Sequence, residues 1–136
     1  MTSTIRIRVQ ILDAMLQHAR GQPGVECCGL LAGHGDVITA IFTAENALAS
    51  PNAYDIASRE LFALFRRMRE EHLEHLGIYH SHPAGENKPS VRDIEQAFYP
   101  EAAYFIISPQ LEAPKPIRAF SILDGRAEEL ELVTTL

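Results

Sequence analysis

Two histidines separated by one residue, His80 and His82, are followed a short distance downstream by an aspartate, Asp93. Side chains in a β-strand alternate between its two faces, so both imidazoles would lie on one face of a strand. Tyr79 favours a strand at this point, and Pro83 would end it. Two imidazoles and one carboxylate form a three-ligand set for a divalent metal. Three protein ligands leave a fourth position open, as in catalytic zinc sites.

Ser90 stands three residues before Asp93, and this pair has two explanations. A serine at a helix N-cap with an acid at the third helical position is a capping box, which is common and needs no metal. Histidines in a strand are likewise usually structural. The two histidines together with Ser90 and Asp93 favour a metal site more strongly than either pair alone. Burying several polar groups without a metal or a hydrogen-bonded network would be unfavourable. The two explanations are compatible, since Ser90 could cap its helix and still donate its hydroxyl proton.

Glu26 adds an acidic side chain just before the apolar segment Cys28–Leu31. An acid in this position is often simply exposed to solvent. Near a metal it could instead serve as a general base for water. By strand alternation Cys28 shares a face with Glu26, although a small buried core residue is the simpler interpretation of this cysteine.

Hydrophobic periodicity predicts three helices and six or seven strands in mixed order. Gly21 is expected to end the first helix, Gly77 the second, and Pro100 follows the third. The predicted helices cover 9–19, 61–72 and 90–98, and the predicted strands cover 5–9, 26–32, 37–43, 76–82, 103–108, 117–123 and 128–133. This order indicates an α/β (α+β) sandwich in which helices pack on a curved mixed sheet.

The length of 136 residues and the hydrophobic content of 46% predict a single domain, residues 1–136, with a substantial core. A net charge of −6 argues against a general nucleic-acid-binding protein. Apolar runs are too short to span a bilayer, and the first residues lack the apolar stretch of a secretory signal. The two cysteines, Cys27 and Cys28, are adjacent and give no disulfide framework, which favours the reducing cytoplasm.

The pattern Glu26, His80-x-His82, Ser90-x-x-Asp93 resembles the JAMM (MPN-plus) metalloproteases, which include deubiquitinases and bacterial relatives. The resemblance to small stand-alone bacterial members covers nearly the whole chain. Further matching residues are Pro23, Cys28-Gly29-Leu30-Leu31, Asn46, Gly77-Ile78-Tyr79, Ser81, Pro83, Pro89 and Tyr99-Pro100. The resemblance implies the MPN fold, which is cytidine-deaminase-like.

The resemblance also implies a role for each residue of the pattern. One zinc ion per chain would be held by His80, His82 and Asp93, with water in the fourth position. Glu26 would take a proton from that water and pass it to the leaving amine, and Ser90 would hydrogen-bond the oxyanion of the tetrahedral carbonyl carbon. Four further residues are expected beside the ligands or in contact with substrate: Cys28, Asn46, Tyr79 and Ser81.

The resulting hypothesis is a zinc-dependent metallopeptidase or isopeptidase. It would cleave the bond after the flexible, glycine-ended C-terminal tail of a ubiquitin-like or sulfur-carrier protein. One alternative is a non-catalytic MPN scaffold, although the complete ligand set argues against it. Another is a zinc peptidase acting on cell-wall peptides. Neither nucleic acid nor a membrane is an expected partner.

Overall fold

A computed structural model describes residues 4–136 of the chain. Residues 1–3, with which the predicted domain and the segment considered for a secretory signal begin, lie outside the described residues. Seven strands and three helices follow in the order β1 (Thr4–Arg8), α1 (Val9–Arg20), β2 (Cys28–His34), β3 (Val37–Ala44), α2 (Ser58–Glu70), β4 (Glu74–Ser81), α3 (Val91–Glu95), β5 (Ala103–Ile107), β6 (Ile117–Leu123) and β7 (Arg126–Thr135). The predicted numbers of strands and helices are confirmed.

The seven strands close into a barrel in the order β1-β3-β2-β4-β5-β6-β7. β4 runs parallel to β5, and β1 runs parallel to both β3 and β7, whereas the other neighbouring pairs are antiparallel. The sheet is therefore mixed and curved, as predicted, and it curves far enough to close into a barrel. Helix α3 connects the parallel strands β4 and β5, so it follows the carboxyl end of β4. This is the end of a parallel strand at which ligands commonly bind.

Two apolar cores lie on opposite faces of the sheet. Alternation along β2 sends Leu31 to one core and Leu30 to the other, as expected for a strand that is buried on both faces. Helix α1 covers the first core with Met15, and α2 covers the second with Leu64 and Met68. The strands that carry the candidate site are thus held between two packed layers.

The predicted end of α2 was wrong. The helix ends at Glu70, because His72 adopts a left-handed φ of 57° that turns the chain into β4. Gly77, predicted to end this helix, lies inside β4. A Cβ at Gly77 would lie 3.0 Å from Cε1 of Phe105 on the neighbouring strand, so the glycine is explained by close packing in the sheet.

The predicted end of α3 was also wrong. This helix stops at Glu95 rather than at Phe98. The chain then turns toward β5, and the backbone N–H of Tyr99 donates to the hydroxyl of Tyr104 at 2.9 Å instead of to a helical carbonyl. Within residues 4–136, every helix is too short or too polar to cross a membrane.

Candidate active site

The carboxyl end of β4 brings two imidazoles and a carboxylate together. His80 lies within β4, His82 one residue beyond it, and Asp93 in α3. Nε2 of His80 is 3.1 Å from Nε2 of His82 and 3.2 Å from Oδ2 of Asp93, and Nε2 of His82 is 3.1 Å from the same oxygen. Donor atoms of a tetrahedral zinc site with bonds of about 2.0–2.1 Å lie about 3.3 Å apart. The triangle has the dimensions of a metal site.

Helix α3 orients Asp93 through its capping box. The Oγ of Ser90 accepts a hydrogen bond from the backbone N–H of Asp93 at 3.1 Å, and Oδ2 of Asp93 accepts one from the backbone N–H of Ser90 at 2.9 Å. The capping interpretation is therefore correct, and the same carboxylate oxygen also faces both imidazoles. Ser90 is exposed, and its hydroxyl proton remains available for another acceptor.

The orientation of the His82 ring is set by the loop that follows β4. Nδ1 of His82 lies 2.8 Å from the backbone carbonyl oxygen of Glu86. A carbonyl oxygen only accepts, so Nδ1 carries a proton, and the ring is held with Nε2 directed into the triangle. The loop itself is fixed by Asn87, whose Nδ2 donates to the carbonyl of Lys115 at 2.7 Å.

An aromatic ring holds His80 from the side. The ring of Tyr54 stacks on His80 with centroids 4.5 Å apart and an interplanar angle of 22°. His80 is 1% exposed, and its Nδ1 has no hydrogen-bond partner among the described residues. Sequence reasoning missed Tyr54, because it lies in a loop and touches β4 from far along the chain. No periodic pattern marks such a contact.

Glu26 is buried, against the simpler expectation that it would be exposed. The residue is 4% exposed, and its Oε1 has no hydrogen-bond partner among the described residues. It lies just before β2, which begins at Cys28 rather than at the predicted Glu26. Burial raises the pKa of Glu26 to about 7, and the nearby charges of His82 and Arg92 oppose this rise while Asp93 adds to it. The carboxyl group is thus poised to exchange a proton near neutral pH.

Asn46 anchors the backbone on which Glu26 is carried. Its Nδ2 donates to the carbonyls of Glu26 and Ala53, each at 2.9 Å. Its Oδ1 accepts from the backbone N–H groups of Leu48 at 3.0 Å and Asp55 at 3.2 Å. One buried amide therefore ties the segment before β2 to the loop that carries Tyr54. Asn46 contacts Glu26 through the backbone and not through the carboxylate.

Three other residues were predicted to lie beside the site, and only Cys28, on the neighbouring strand β2, lies on the same side of the sheet as His80. Cys28 pairs with His80 in the β2–β4 register, and burial raises the pKa of its thiol to about 12, so it is neutral. Ser81 and Tyr79 belong to the opposite side. Oγ of Ser81 accepts from the backbone N–H of Cys27 at 2.9 Å, and the hydroxyl of Tyr79 lies 2.7 Å from Nδ1 of His18 on α1.

The donor set fits a divalent cation on electrostatic grounds. Nε2 of His82 and Oδ2 of Asp93 converge on one point that Nε2 of His80 also faces. Without a metal, protons on the imidazoles must hold these three atoms together, and a divalent cation can take the place of those protons. Imidazole and carboxylate suit zinc, and iron(II) or cobalt(II) can take the same ligands.

The amino-acid sequence is similar to those of known proteins. Residues 8–123 match the family of prokaryotic homologues of the JAB domain. The chain is 34% identical over 115 residues to a desampylase from Haloferax volcanii, covering 79% of this chain and 83% of the relative. It is also 34% identical over 125 residues to the CysO-cysteine peptidase of Mycobacterium tuberculosis, covering 90% and 86%.

The fold is similar to that of solved JAB1/MPN domain structures. A JAB1/MPN domain protein from Archaeoglobus fulgidus has a crystal structure that matches with a TM-score of 0.66 at 17% identity, covering 97% of each chain. The resemblance and the α+β MPN fold predicted from the sequence are confirmed. The chain belongs to the family of prokaryotic homologues of the JAB domain and is a hydrolase of the JAMM metalloprotease type.

Proposed function

We propose that this chain is a zinc-dependent peptidase or isopeptidase that cleaves the bond after the C-terminal tail of a ubiquitin-like protein. The observation that carries the proposal is the convergence of His80, His82 and Asp93 near the buried carboxylate of Glu26, whose Oε1 lacks a partner among the described residues. Structural zinc sites have four protein ligands, whereas a three-ligand set with an additional carboxylate supports hydrolysis.

In this proposal His80, His82 and Asp93 hold one zinc ion per chain. Zinc bound there supplies a Lewis acid for the scissile carbonyl and lowers the pKa of bound water to about 7. Glu26 takes a proton from the attacking water at Oε1 and passes it to the nitrogen of the leaving amine. In the metal-free chain, burial raises the pKa of Glu26 above that of an exposed carboxyl group, which favours its uptake of a proton from water.

Ser90 is proposed to stabilise the charge that develops on the carbonyl oxygen of the substrate. Its Oγ accepts the capping hydrogen bond from Asp93, so the hydroxyl proton can be donated outward. The residue is exposed at the edge of an otherwise buried site. A fixed donor of this kind typically contributes about 100- to 1000-fold in rate.

The recess of the site supports a thin, flexible substrate. His80 is 1% exposed and Glu26 is 4% exposed, so the reacting bond has to enter below the surface that Ser90 borders. A glycine-ended tail has no side chain to obstruct this entry. The desampylase and the CysO-cysteine peptidase among the relatives support a ubiquitin-like carrier as the protein that presents the tail.

The test uses ubiquitin-like sulfur carriers of two kinds. One kind carries a single extra amino acid after its terminal glycine, and the other is linked through that glycine to a lysine side chain. Intact mass is followed after incubation with the zinc-loaded chain. We expect loss of the extension or the adduct with wild type and with the exposed control Glu101→Gln, but not with Glu26→Gln. If wild type leaves every carrier of both kinds unchanged, the proposal is wrong.

A further inference from the structure

We infer that a small apolar cavity beside the metal ligands binds one aliphatic side chain of the substrate tail, two residues upstream of the residue whose carbonyl is attacked. The cavity has a volume of about 110 Å³ and lies between the loop before α2, the strand β4 and the segment after α3. The inference rests on the proposed function, because it assigns a specificity pocket to the same substrate.

The walls of the cavity are mostly hydrophobic. Ile78 and Tyr104 are 5% and 3% exposed and form a rigid floor, whereas Phe98 is 74% exposed and stands at the mouth. Ile56 and Leu61 complete the sides. The polar lining residues, Asp55 and Gln96, are exposed and lie toward solvent. A pocket with this lining favours a side chain without charge.

One residue separates the cavity from the candidate active site. Tyr54 lines the cavity and stacks on His80, while His80 itself does not line it. The Tyr54 ring therefore stands between the pocket and a metal ligand. Ile78, in the floor, precedes His80 by two residues on the same face of β4. At about 3.3 Å per residue, this offset is about 6.6 Å.

The same distance identifies the substrate residue. We take the tail to lie over the site face of β4 and in line with the strand, whose two edges are already paired with β2 and β5. An extended tail on this path that places its scissile carbonyl at the level of His80 places the residue two positions away at the level of Ile78. If the leaving group is a single amino acid, nothing lies two positions beyond the bond on that side. The side chain in the pocket therefore belongs to the tail, upstream of the attacked carbonyl.

The volume sets the size of the side chain. An apolar cavity of about 150 Å³ is large enough to bind benzene. A cavity of about 110 Å³ is therefore suited to leucine, isoleucine or valine and too small for an indole. Filling it with leucine instead of alanine is expected to raise kcat/KM by about 10- to 100-fold, which is the range that burial of a few methylene groups provides.

The experiment uses synthetic peptides acetyl-Ala-X-Gly-Gly-Cys, with X as Leu, Ala, Asp or Phe, and the zinc-loaded chain. Cleavage between Gly and Cys gives kcat/KM. Methyl NMR of Ile56, Leu61 and Ile78, with the peptides ending in Gly-Gly-amide, gives binding without turnover. We expect the leucine peptide to be cleaved at least tenfold better than the alanine peptide and to shift these methyl signals selectively.

Two variants and one control separate the pocket from general effects. Ile56→Phe narrows the cavity and should bring the Leu/Ala ratio toward one. Leu61→Ala enlarges it and should shift the preference toward the phenylalanine peptide. Val133→Ala changes an exposed apolar residue of β7 and should keep the wild-type ratio.

The outcomes distinguish the two proposals. Equal cleavage of the leucine and alanine peptides, or methyl shifts that do not depend on X, would overturn the pocket while leaving the peptidase proposal intact. Leucine-selective methyl shifts without cleavage of any peptide would support the pocket and count against the proposed reaction. Absence of methyl shifts at any peptide concentration would overturn the pocket, whatever the activity.

Discussion

Strand β4 sends polar side chains toward both of its faces, and the two sets are satisfied differently. On one side, here called the packing face, are Tyr79 and Ser81. Tyr79 pairs with His18, and Ser81 accepts from the backbone of Cys27. On the other side, here called the site face, are His80 and, just beyond the strand, His82. Their Nε2 atoms face the carboxylate of Asp93.

The two faces differ in whether their buried polar atoms have hydrogen-bond partners. The hydrogen bonds of Tyr79 and Ser81 join structural elements to one another. The site face instead gathers three potential metal-ligating atoms on one point, and Oε1 of Glu26 and Nδ1 of His80 have no partner among the described residues. Buried polar atoms without partners destabilise a fold, so their presence marks a function that stability alone would not select. Changes on the two faces should therefore have different consequences.

The largest effect is expected for Glu26→Gln. The amide has nearly the shape of the carboxylate but cannot accept the proton of the attacking water. Turnover should fall by about 100- to 10,000-fold, while the metal content stays at the wild-type level. The measurement is kcat on a cleavable carrier, with metal analysis of the same sample. Loss of metal together with activity would make Glu26 a ligand instead.

Ser90→Ala should have the next largest effect. Removing the hydroxyl takes away the donor to the developing oxyanion, which should lower kcat by about 100- to 1000-fold. It also removes the helix cap, at about 1 kcal/mol in the free energy of unfolding. Kinetics and urea unfolding of the same variant separate the two roles. A loss of stability without a loss of kcat would mean that the capping box accounts for Ser90 entirely.

In the metal-free protein, the burial of Glu26 should lower the free energy of unfolding in a pH-dependent way. The folded-state pKa of Glu26 is raised to about 7, so ionisation opposes folding, and stability is lost as pH rises from about 4.5 through 7. Glu26→Gln should therefore raise the free energy of unfolding at pH 8, in the presence of a chelator, by about 1–3 kcal/mol. The gain should shrink as pH falls toward 4.5. Urea unfolding that shows the same gain at both pH values would contradict this origin.

The smallest effect is expected on the packing face. Tyr79→Phe removes the hydroxyl that lies 2.7 Å from Nδ1 of His18. We expect a loss of about 1 kcal/mol in the free energy of unfolding and unchanged kcat and metal content. If instead this variant lost activity with an unchanged free energy of unfolding, Tyr79 would have to contribute to the site, and the contrast between the faces would fail.

The parts of the site that follow local rules could be predicted from the sequence. Strand alternation predicted that His80 shares a face with His82, and the spacing of Ser90 and Asp93 predicted the capping box. Both features depend on neighbours within a few residues. Tyr54 could not be predicted, since its contact with His80 depends on the path of a loop with no period. Gly77 was misassigned for a similar reason. Its packing against Phe105 is a contact between strands, whereas its sequence position suggested a helix end.

The closed barrel was likewise beyond the sequence pattern. Alternation indicated the strands and the curved mixed sheet, but closure depends on the parallel pairing of β1 with β7, from opposite ends of the chain. Local patterns carry no information about which distant edges meet.

Elemental analysis of the purified chain tests whether His80, His82 and Asp93 hold one metal ion. Wild type, His82→Ala and His34→Ala would be purified without added metal, titrated with zinc and desalted. His34 is exposed and distant from the triangle in sequence, so its variant controls for the loss of any histidine. We expect about one zinc per chain in wild type and in His34→Ala, and almost none in His82→Ala. Equal zinc content in all three proteins, or failure of wild type to retain zinc, would contradict it.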